Sequence, residues 1–266
     1  MSIPYDLFDY PSFWEKRSFE DKCERIALKH FLALVDKKST LVDIGGGFGR
    51  LASVYTPLFE SCTILEPSEK QIEVGKKFNT SPNLSFKEGS LPRLPFSSNS
   101  FEVVLMVRVL HHFESSLPPI KEIKRILQPG GYLILEVANK IHMLARLRAF
   151  FRGDRSFFKN LEPVDRRSPR SIEKKKITFV DHHPKKVLSD LESSGFSILE
   201  VYSVSNFRSQ FLKKIIPEKI LLFMEDKLQK PFGKLFFWPL HFYIGKEILI
   251  VCVILHCAIS FRYKLV

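Results

Sequence analysis

The sequence reads as an α/β protein built on a parallel sheet with both faces covered. Two observations predict this. Between residues 40 and 137, short apolar and β-branched runs alternate with amphipathic stretches, which is the rhythm of βαβ units. The first of those runs ends in a glycine-dense turn, Asp43-Ile44-Gly45-Gly46-Gly47-Phe48-Gly49, that opens the next amphipathic stretch. A strand that runs into glycines and then a helix is where open α/β sheets bind ligands.

Each element has its own signal. Residues 16–36 form an amphipathic helix in which Ile26, Phe31, Leu34 and Val35 recur near helical spacing. Residues 40–44 are a buried strand, 48–59 a helix, 62–65 a strand and 68–78 a helix. Strands follow at 84–87, 101–106 and 132–137. A helix over 117–127 is closed by Gln128-Pro129-Gly130-Gly131, which both stops it and turns the chain. After Asn139 the rhythm stops. Residues 140–180 contain Pro163 and Pro169 and lack a clean period, so they are expected to form a lobe or lid beside the sheet. The pattern resumes at His183-Pro184, where proline takes the first helical position. Val187, Leu188 and Leu191 make the apolar stripe of that helix and Gly195 caps it. A strand at 196–204, a helical stretch at 207–230 broken before Pro217, and a last strand at 236–245 complete the pass.

Composition sets the outer limits. The 266 residues suit one large domain, or one domain with an inserted lobe, better than two independent ones, and 45% hydrophobic against 26% charged residues exclude disordered and fibrous classes. Cys23, Cys62, Cys252 and Cys257 have neither disulfide-scaffold nor zinc spacing, so free thiols in a reducing compartment are expected. The first twenty residues carry Asp6, Asp9, Glu15, Lys16 and Arg17 and no apolar core of a secretion signal. These features lead us to expect a cytoplasmic protein. The net charge of +12 points to an anionic partner, and twelve Lys/Arg against four Asp/Glu between Lys140 and Lys176 concentrate +8 in one stretch.

The glycine turn carries the chemistry. Its glycines let the backbone turn sharply and let a ligand approach the chain. A dinucleotide fingerprint would place a third glycine where Arg50 stands, so the ligand is not read as NAD. Downstream come Ile64-Leu65-Glu66-Pro67, then Glu88-Gly89-Ser90-Leu91-Pro92-Arg93-Leu94-Pro95-Phe96 and Ser100-Phe101-Glu102-Val103-Val104. Val109-Leu110-His111-His112 and Leu127-Gln128-Pro129-Gly130-Gly131 follow.

With Asp43-x-Gly45-x-Gly47-x-Gly49, this series resembles the class I S-adenosylmethionine-dependent methyltransferases, in the small-molecule "type 11"-like group. The resemblance runs from about Trp14 to Lys246 and is strongest from Leu41 to Val137. It implies a doubly wound, mostly parallel seven-stranded Rossmann-like methyltransferase sheet with an inserted basic lid. Residues 1–247 would be the methyltransferase domain, with a core at 38–139, the lid at 140–180 and the C-terminal half of the sheet at 181–247. Residues 248–266 would be an apolar tail.

The resemblance also implies a cofactor, S-adenosyl-L-methionine, and its cradle. Asp43, Gly45, Gly47 and Gly49 would line the methionine portion, Glu66 and Pro67 would hold the ribose, and Ser90 and Leu91 the adenine. Met106 and Val107 would border the sulfonium. The family's adenine-facing Asp is Ser90 here, a neutral acceptor whose bond is weaker by about 1 kcal/mol. Tyr5, Tyr10, Trp14 and Arg17 form an aromatic, cationic cluster that would fold over the cofactor mouth, with Arg17 paired to the methionine carboxylate. His111 and His112, at the carboxyl edge of the sheet, are the candidate proton relays. His182, His183 and Asp181 do not read as a metal site, because His183-Pro184 starts a helix.

For the acceptor, Met106-Val107-Arg108-Val109 replaces the Asn/Asp-Pro-Pro-aromatic run of base amino-methylases. A small-molecule or lipid-like acceptor is therefore expected. An RNA- or protein-directed enzyme, or a catalytically silent S-adenosylmethionine-binding module, is the alternative. Phe150, Phe151, Phe157 and Phe158 interleave with Arg146, Arg148, Arg152, Arg155 and Lys159. Such a segment suits a lid whose Phe face covers the substrate, peripheral contact with an anionic membrane, or, less well, nucleic acid. The apolar run 248–261 is fourteen residues, short of the roughly 20 that span a bilayer. A membrane-dipping tail, a buried element and an oligomer contact all fit it.

Overall fold

A computed structural model describes residues 9–168, 170 and 178–248. Tyr5 and all but the first residue of the 248–266 tail lie outside the described residues. Seven strands form one sheet: β1 (Thr40–Ile44), β2 (Ser61–Glu66), β3 (Leu84–Glu88), β4 (Phe101–Met106), β5 (Leu127–Ala138), β8 (Phe196–Val204) and β9 (Leu240–Glu247). Their order is β3-β2-β1-β4-β5-β9-β8. The first five are parallel, and β9 runs antiparallel between β5 and β8. The doubly wound, mostly parallel seven-stranded sheet is therefore present. The switch point lies between β1 and β4, where the chain leaves in opposite directions and a crevice opens at the carboxyl edge.

Alternate side chains of the inner strands feed two cores. Leu41, Val103 and Ile134 point to one face, where they meet Cys23, Ala27 and Phe31 of α2 (Ser18–Ala33) and Leu221 of α9 (Glu218–Gly233). Val42, Val104 and Leu135 point to the other, against Ile120 and Ile123 of α5 (Leu117–Ile126) and Val187 and Leu191 of α7 (Pro184–Ser193). His183 is the N-cap of α7, its Nδ1 accepting from the Lys185 N–H. Ser68 caps α4 (Glu69–Phe78) in the same way through Gln71 N–H.

Several elements differ from expectation. The stretch at 16–36 is preceded by a separate short helix, α1 (Tyr10–Glu15). The helix expected over 48–59 is one turn, α3 (Ala52–Tyr55). The glycine turn takes the chain as far as Arg50, and beyond Thr56, the C-cap of α3, the chain continues as a turn. The last strand starts at Leu240 rather than 236, because Phe236 sits at φ 53° and Pro239 cannot donate to a ladder.

The segment after β5 has structure of its own. It holds α6 (Met143–Phe151) and a two-stranded ribbon of β6 (Val164–Asp165) and β7 (Val180–Asp181). Its two ends are joined at the sheet: His182 N–H donates to Ala138 O at 2.8 Å, and Lys140 N–H to His182 O at 2.9 Å. The chain then continues through α7, β8 and α8 (Gln210–Ile215) to α9 and β9.

Candidate active site

A cavity of about 860 Å³ lies at the carboxyl edge of β1, β2 and β4. Its floor is the glycine turn. Gly45 is at φ 69°, and a Cβ there would stand 2.4 Å from Val109 Cγ2. Gly47 is at φ 57°, and a Cβ there would meet nothing within 4 Å. The turn thus presents bare backbone to the cavity, in a conformation that side chains resist. Glu66, 5% exposed at the end of β2, accepts from Gly47 N–H through Oε2 (3.0 Å) and from Ser68 N–H through Oε1 (3.1 Å). These two backbone donors fix the orientation of the carboxylate at the cavity wall. Asp43 is buried below the turn and accepts from the Tyr55 hydroxyl at 3.2 Å. Burial pushes its carboxyl up to about 7, a rise opposed by Tyr55 and Arg50 and reinforced by Glu66.

Asp43, Gly45, Gly47, Glu66, Pro67, Ser90, Leu91, Val107, Arg17, His111 and His112 all line this cavity. Two of the residues expected there do not. A Cβ on Gly49 would strike Ile64 Cδ1 at 2.7 Å, so this glycine permits close packing beneath the turn. Met106 is fully buried in the core with Ile44 and Leu135, because the strand alternation directs it there and leaves Val107 on the wall.

The roof comes from the N-terminal segment. Tyr10, Phe13, Trp14 and Arg17 face the cavity. Burial, then the Glu66 carboxylate, raises the Tyr10 hydroxyl to about 12. Arg17 lies 4.5 Å above the centre of the Phe13 ring. Trp14 has the guanidinium of Arg50 at 3.7 Å from its ring centre and that of Arg108 at 5.2 Å. Both arginines are tied to Glu24, which is fully buried on α2. Arg108 Nε donates to Glu24 Oε1 at 3.0 Å, and Arg50 Nη1 donates to Asp21 at 2.6 Å. Burial alone would raise the Glu24 carboxyl, but Arg108 and Arg50 outweigh it and hold the group below its ordinary value. Arg108 reaches this position through a left-handed backbone, φ 63°, held by its N–H donating to Glu136 Oε2 at 2.6 Å.

At the far end, His112 Nδ1 donates to Thr178 O at 2.9 Å, which makes Nε2 the acceptor nitrogen of the neutral ring. Burial lowers the basicity of His112, opposed by that bond. His111 packs 4.1 Å from His112 and 4.4 Å from Phe179, ring centre to ring centre. Burial, then His112 and Arg108, pushes its pKa down to about 2. Phe150, Phe151, Phe157 and Phe158 do not line the cavity; Phe179 does. The expected phenylalanine cover is therefore made by a different residue of the same segment.

Sequence reasoning passed over the Glu24–Arg50–Arg108 triad. A signal for it existed: Glu24 falls on the apolar face of α2, in line with Ala27, Leu28 and Phe31. The residues fit S-adenosylmethionine. Bare glycine backbone, a carboxylate aimed by two amides, and apolar walls at Leu91, Val107 and Phe48 make one continuous chamber.

Comparison with known proteins agrees with this geometry. Residues 42–135 match a family described as "Methyltransferase domain". The chain is 30% identical over 124 residues to a demethylmenaquinone methyltransferase of Chlamydia trachomatis, covering 44% of this chain and 54% of that protein. It is 27% identical over 171 residues to phthiotriol/phenolphthiotriol dimycocerosates methyltransferase 1 of Mycobacterium ulcerans, covering 64% of this chain and 59% of that protein. The chain spans about half the length of the curated relatives it matches. Among solved structures, a chain of the complex between the Trm112 methyltransferase activator and a methyltransferase of Haloferax volcanii superposes with a TM-score of 0.61 at 16% identity. It covers 94% of this chain and 100% of that one, a likeness of fold.

Proposed function

We propose that this chain, which carries a class I S-adenosylmethionine-dependent methyltransferase domain, transfers a methyl group to a small-molecule or lipid-like acceptor by in-line displacement. One observation carries the proposal. A single cavity runs from the glycine turn and Glu66 to the neutral histidines and Phe179, so cofactor and acceptor ends share one enclosed space.

S-adenosylmethionine supplies, when bound, a methyl group already activated on a sulfonium. The protein's own residues do the rest. Glu66 would orient the ribose hydroxyls, the amides of the glycine turn would hold the methionine portion, and Ser90 and Leu91 would flank the adenine. Val107 would border the reacting centre. His112 Nε2 would take the proton lost by the acceptor's nucleophile on methylation, with S-adenosylhomocysteine as the other product. His111, uncharged against Phe179, keeps that end apolar. Enclosure by Trp14 and Phe179 excludes water, and alignment of nucleophile and methyl supplies much of the rate. The apolar acceptor end favours phenolic, quinol-like or lipid-borne nucleophiles, and the reading includes peripheral contact with an anionic membrane. The 140–180 segment serves as its lid through Thr178 and Phe179.

Calorimetry with S-adenosylmethionine and NAD, followed by assay of S-adenosylhomocysteine formation with quinol, phenol and lipid-extract acceptors, tests this. Binding of S-adenosylmethionine but not NAD, with acceptor-dependent turnover, is expected. Binding of NAD alone would overturn the assignment. Cofactor binding without turnover on any acceptor would leave a silent cofactor-binding module.

A further inference from the structure

The 140–180 segment carries an apolar surface that the active site does not use. In α6, His142, Ala149 and the half-buried Ala145 and Arg146 face the protein. Met143, Leu144, Leu147, Phe150 and Phe151 face out, Phe150 with 73% and Phe151 with 81% of its surface exposed. At 3.6 residues per turn these five fall on one continuous stripe along the helix. The exposed Arg148 and Arg152 border the stripe on one side, while Arg146 is turned inward onto Ile141 O and the Phe237 ring.

A second exposed pair lies on the same sheet edge. β8 runs in the same direction as β5, since both are antiparallel to β9. The segment after β8, including α8, therefore emerges at the edge from which α6 emerges. Phe211 and Ile215 of α8 are exposed beside Lys213 and Lys214. The loop before β9 ties the two regions together: Met143 N–H donates to Phe237 O at 2.8 Å, and Trp238 Nε1–H donates to Asn206 O at 3.2 Å. The cavity opens at this same carboxyl edge, with Arg17 and Arg108 on its wall.

We infer that α6, with Phe211 and Ile215 of α8, is a docking face for an anionic lipid leaflet, turning the cavity toward the membrane so that the acceptor enters from the lipid phase. The inference rests on the proposed methyl transfer for its acceptor, but the docking itself does not depend on it. Charge decides the occupant. An exposed Phe–Leu stripe bordered by the exposed Arg148 and Arg152, with Lys213 and Lys214 beside Phe211 and Ile215, matches acyl chains below a layer of anionic headgroups. A nucleic acid would need its aromatic rings spaced for base stacking along a cationic groove, whereas Phe150 and Phe151 are packed edge to face, 5.6 Å between centres, on a convex helix.

The test uses the full chain and sedimentation with phosphatidylcholine vesicles, with and without roughly one third phosphatidylglycerol. The wild type should pellet only with the anionic vesicles and release as salt is raised. Phe150→Glu with Phe151→Glu should weaken vesicle binding more than tenfold, and Arg148→Glu with Arg152→Glu by a similar factor. S-adenosylmethionine affinity, measured on the same samples, should stay unchanged in both variants, which separates lost docking from lost folding. Wild-type protein that binds S-adenosylmethionine but pellets with neither vesicle overturns the docking face and leaves the methyl-transfer reading standing. Vesicle binding that survives both double substitutions overturns it as well. So does salt-sensitive binding of single-stranded RNA that the same substitutions abolish while vesicles are ignored.

Discussion

Arg50 sits over the face of Trp14, its guanidinium carbon 3.7 Å from the ring centre. This stacking joins two ends of the site: Arg50 follows the glycine turn, and Trp14 belongs to α1, which roofs the cavity. The same arginine that breaks a dinucleotide fingerprint is the one that holds the roof. A cation–π contact of this kind is worth about 0.5–2 kcal/mol. Trp14→Ala should therefore weaken cofactor binding by roughly two- to thirtyfold while shifting the melting temperature little. Titration calorimetry beside thermal unfolding measures both, and unchanged affinity would mean that α1 does not close over the ligand.

Glu66→Ala should weaken S-adenosylmethionine binding more than Ser90→Ala. Besides its proposed place at the ribose, the Glu66 carboxylate holds Gly47 N–H and Ser68 N–H, so its removal loosens the turn as well. Charge-assisted bonds contribute about 1.5–3 kcal/mol each, a neutral one about 1 kcal/mol. The expected loss is above roughly tenfold for Glu66 and below it for Ser90. Equal, small losses in calorimetry would place the ribose elsewhere.

Asp43 makes cofactor affinity depend on pH. Its carboxyl titrates at about 7, so it is neutral below that value and anionic above. A cationic sulfonium gains from the anion, so S-adenosylmethionine should bind more tightly as pH rises through 7, with proton release. S-adenosylhomocysteine, neutral at sulfur, should show a smaller change. Calorimetry in buffers of different ionisation enthalpy counts the protons, and Asp43→Asn should flatten the profile.

Glu24→Gln should be among the most destabilising single changes. It leaves Arg50 and Arg108 facing one another without the buried carboxylate that joins them, a loss of about 3–5 kcal/mol. The folded-state value of Glu24 is depressed below its ordinary 4.5. Its contribution is present above the unfolded value and is lost as pH falls through the folded one. Denaturant unfolding across the acid range should show a shallower acid limb in the variant than in the wild type.

The strands were legible because a buried parallel strand is a short unbroken apolar run, and 40–44 and 101–106 match β1 and β4 to the residue. The helices were legible where a cap marked them, as at Ser68 and His183. The stretch at 48–59 was not, since apolar spacing cannot tell one helical turn inside a loop from a full helix. In the site, the glycine turn was legible from its glycines between a strand and a helix, and Glu66 from the family resemblance that those glycines carry. Met106 and Val107 could not be separated by sequence position alone, because which of two adjacent residues faces the cavity depends on where the strand ends. The role of Arg108 depends on a left-handed backbone and a partner 84 residues away, and nothing local encodes either.

The clasp between Ala138, Lys140 and His182 makes the forty or so residues it closes an exchangeable part. Among the described residues the backbone of this excursion joins the sheet at these two ends, held side by side, so a change of length between them leaves the strand ladder in place. Closure entropy adds only about 0.6 kcal/mol for each doubling of length. The glycine turn and Glu66, carried on other elements, stay as they are. Grafting a foreign excursion between Lys140 and His182 should therefore change which acceptors are methylated while S-adenosylmethionine binding is kept.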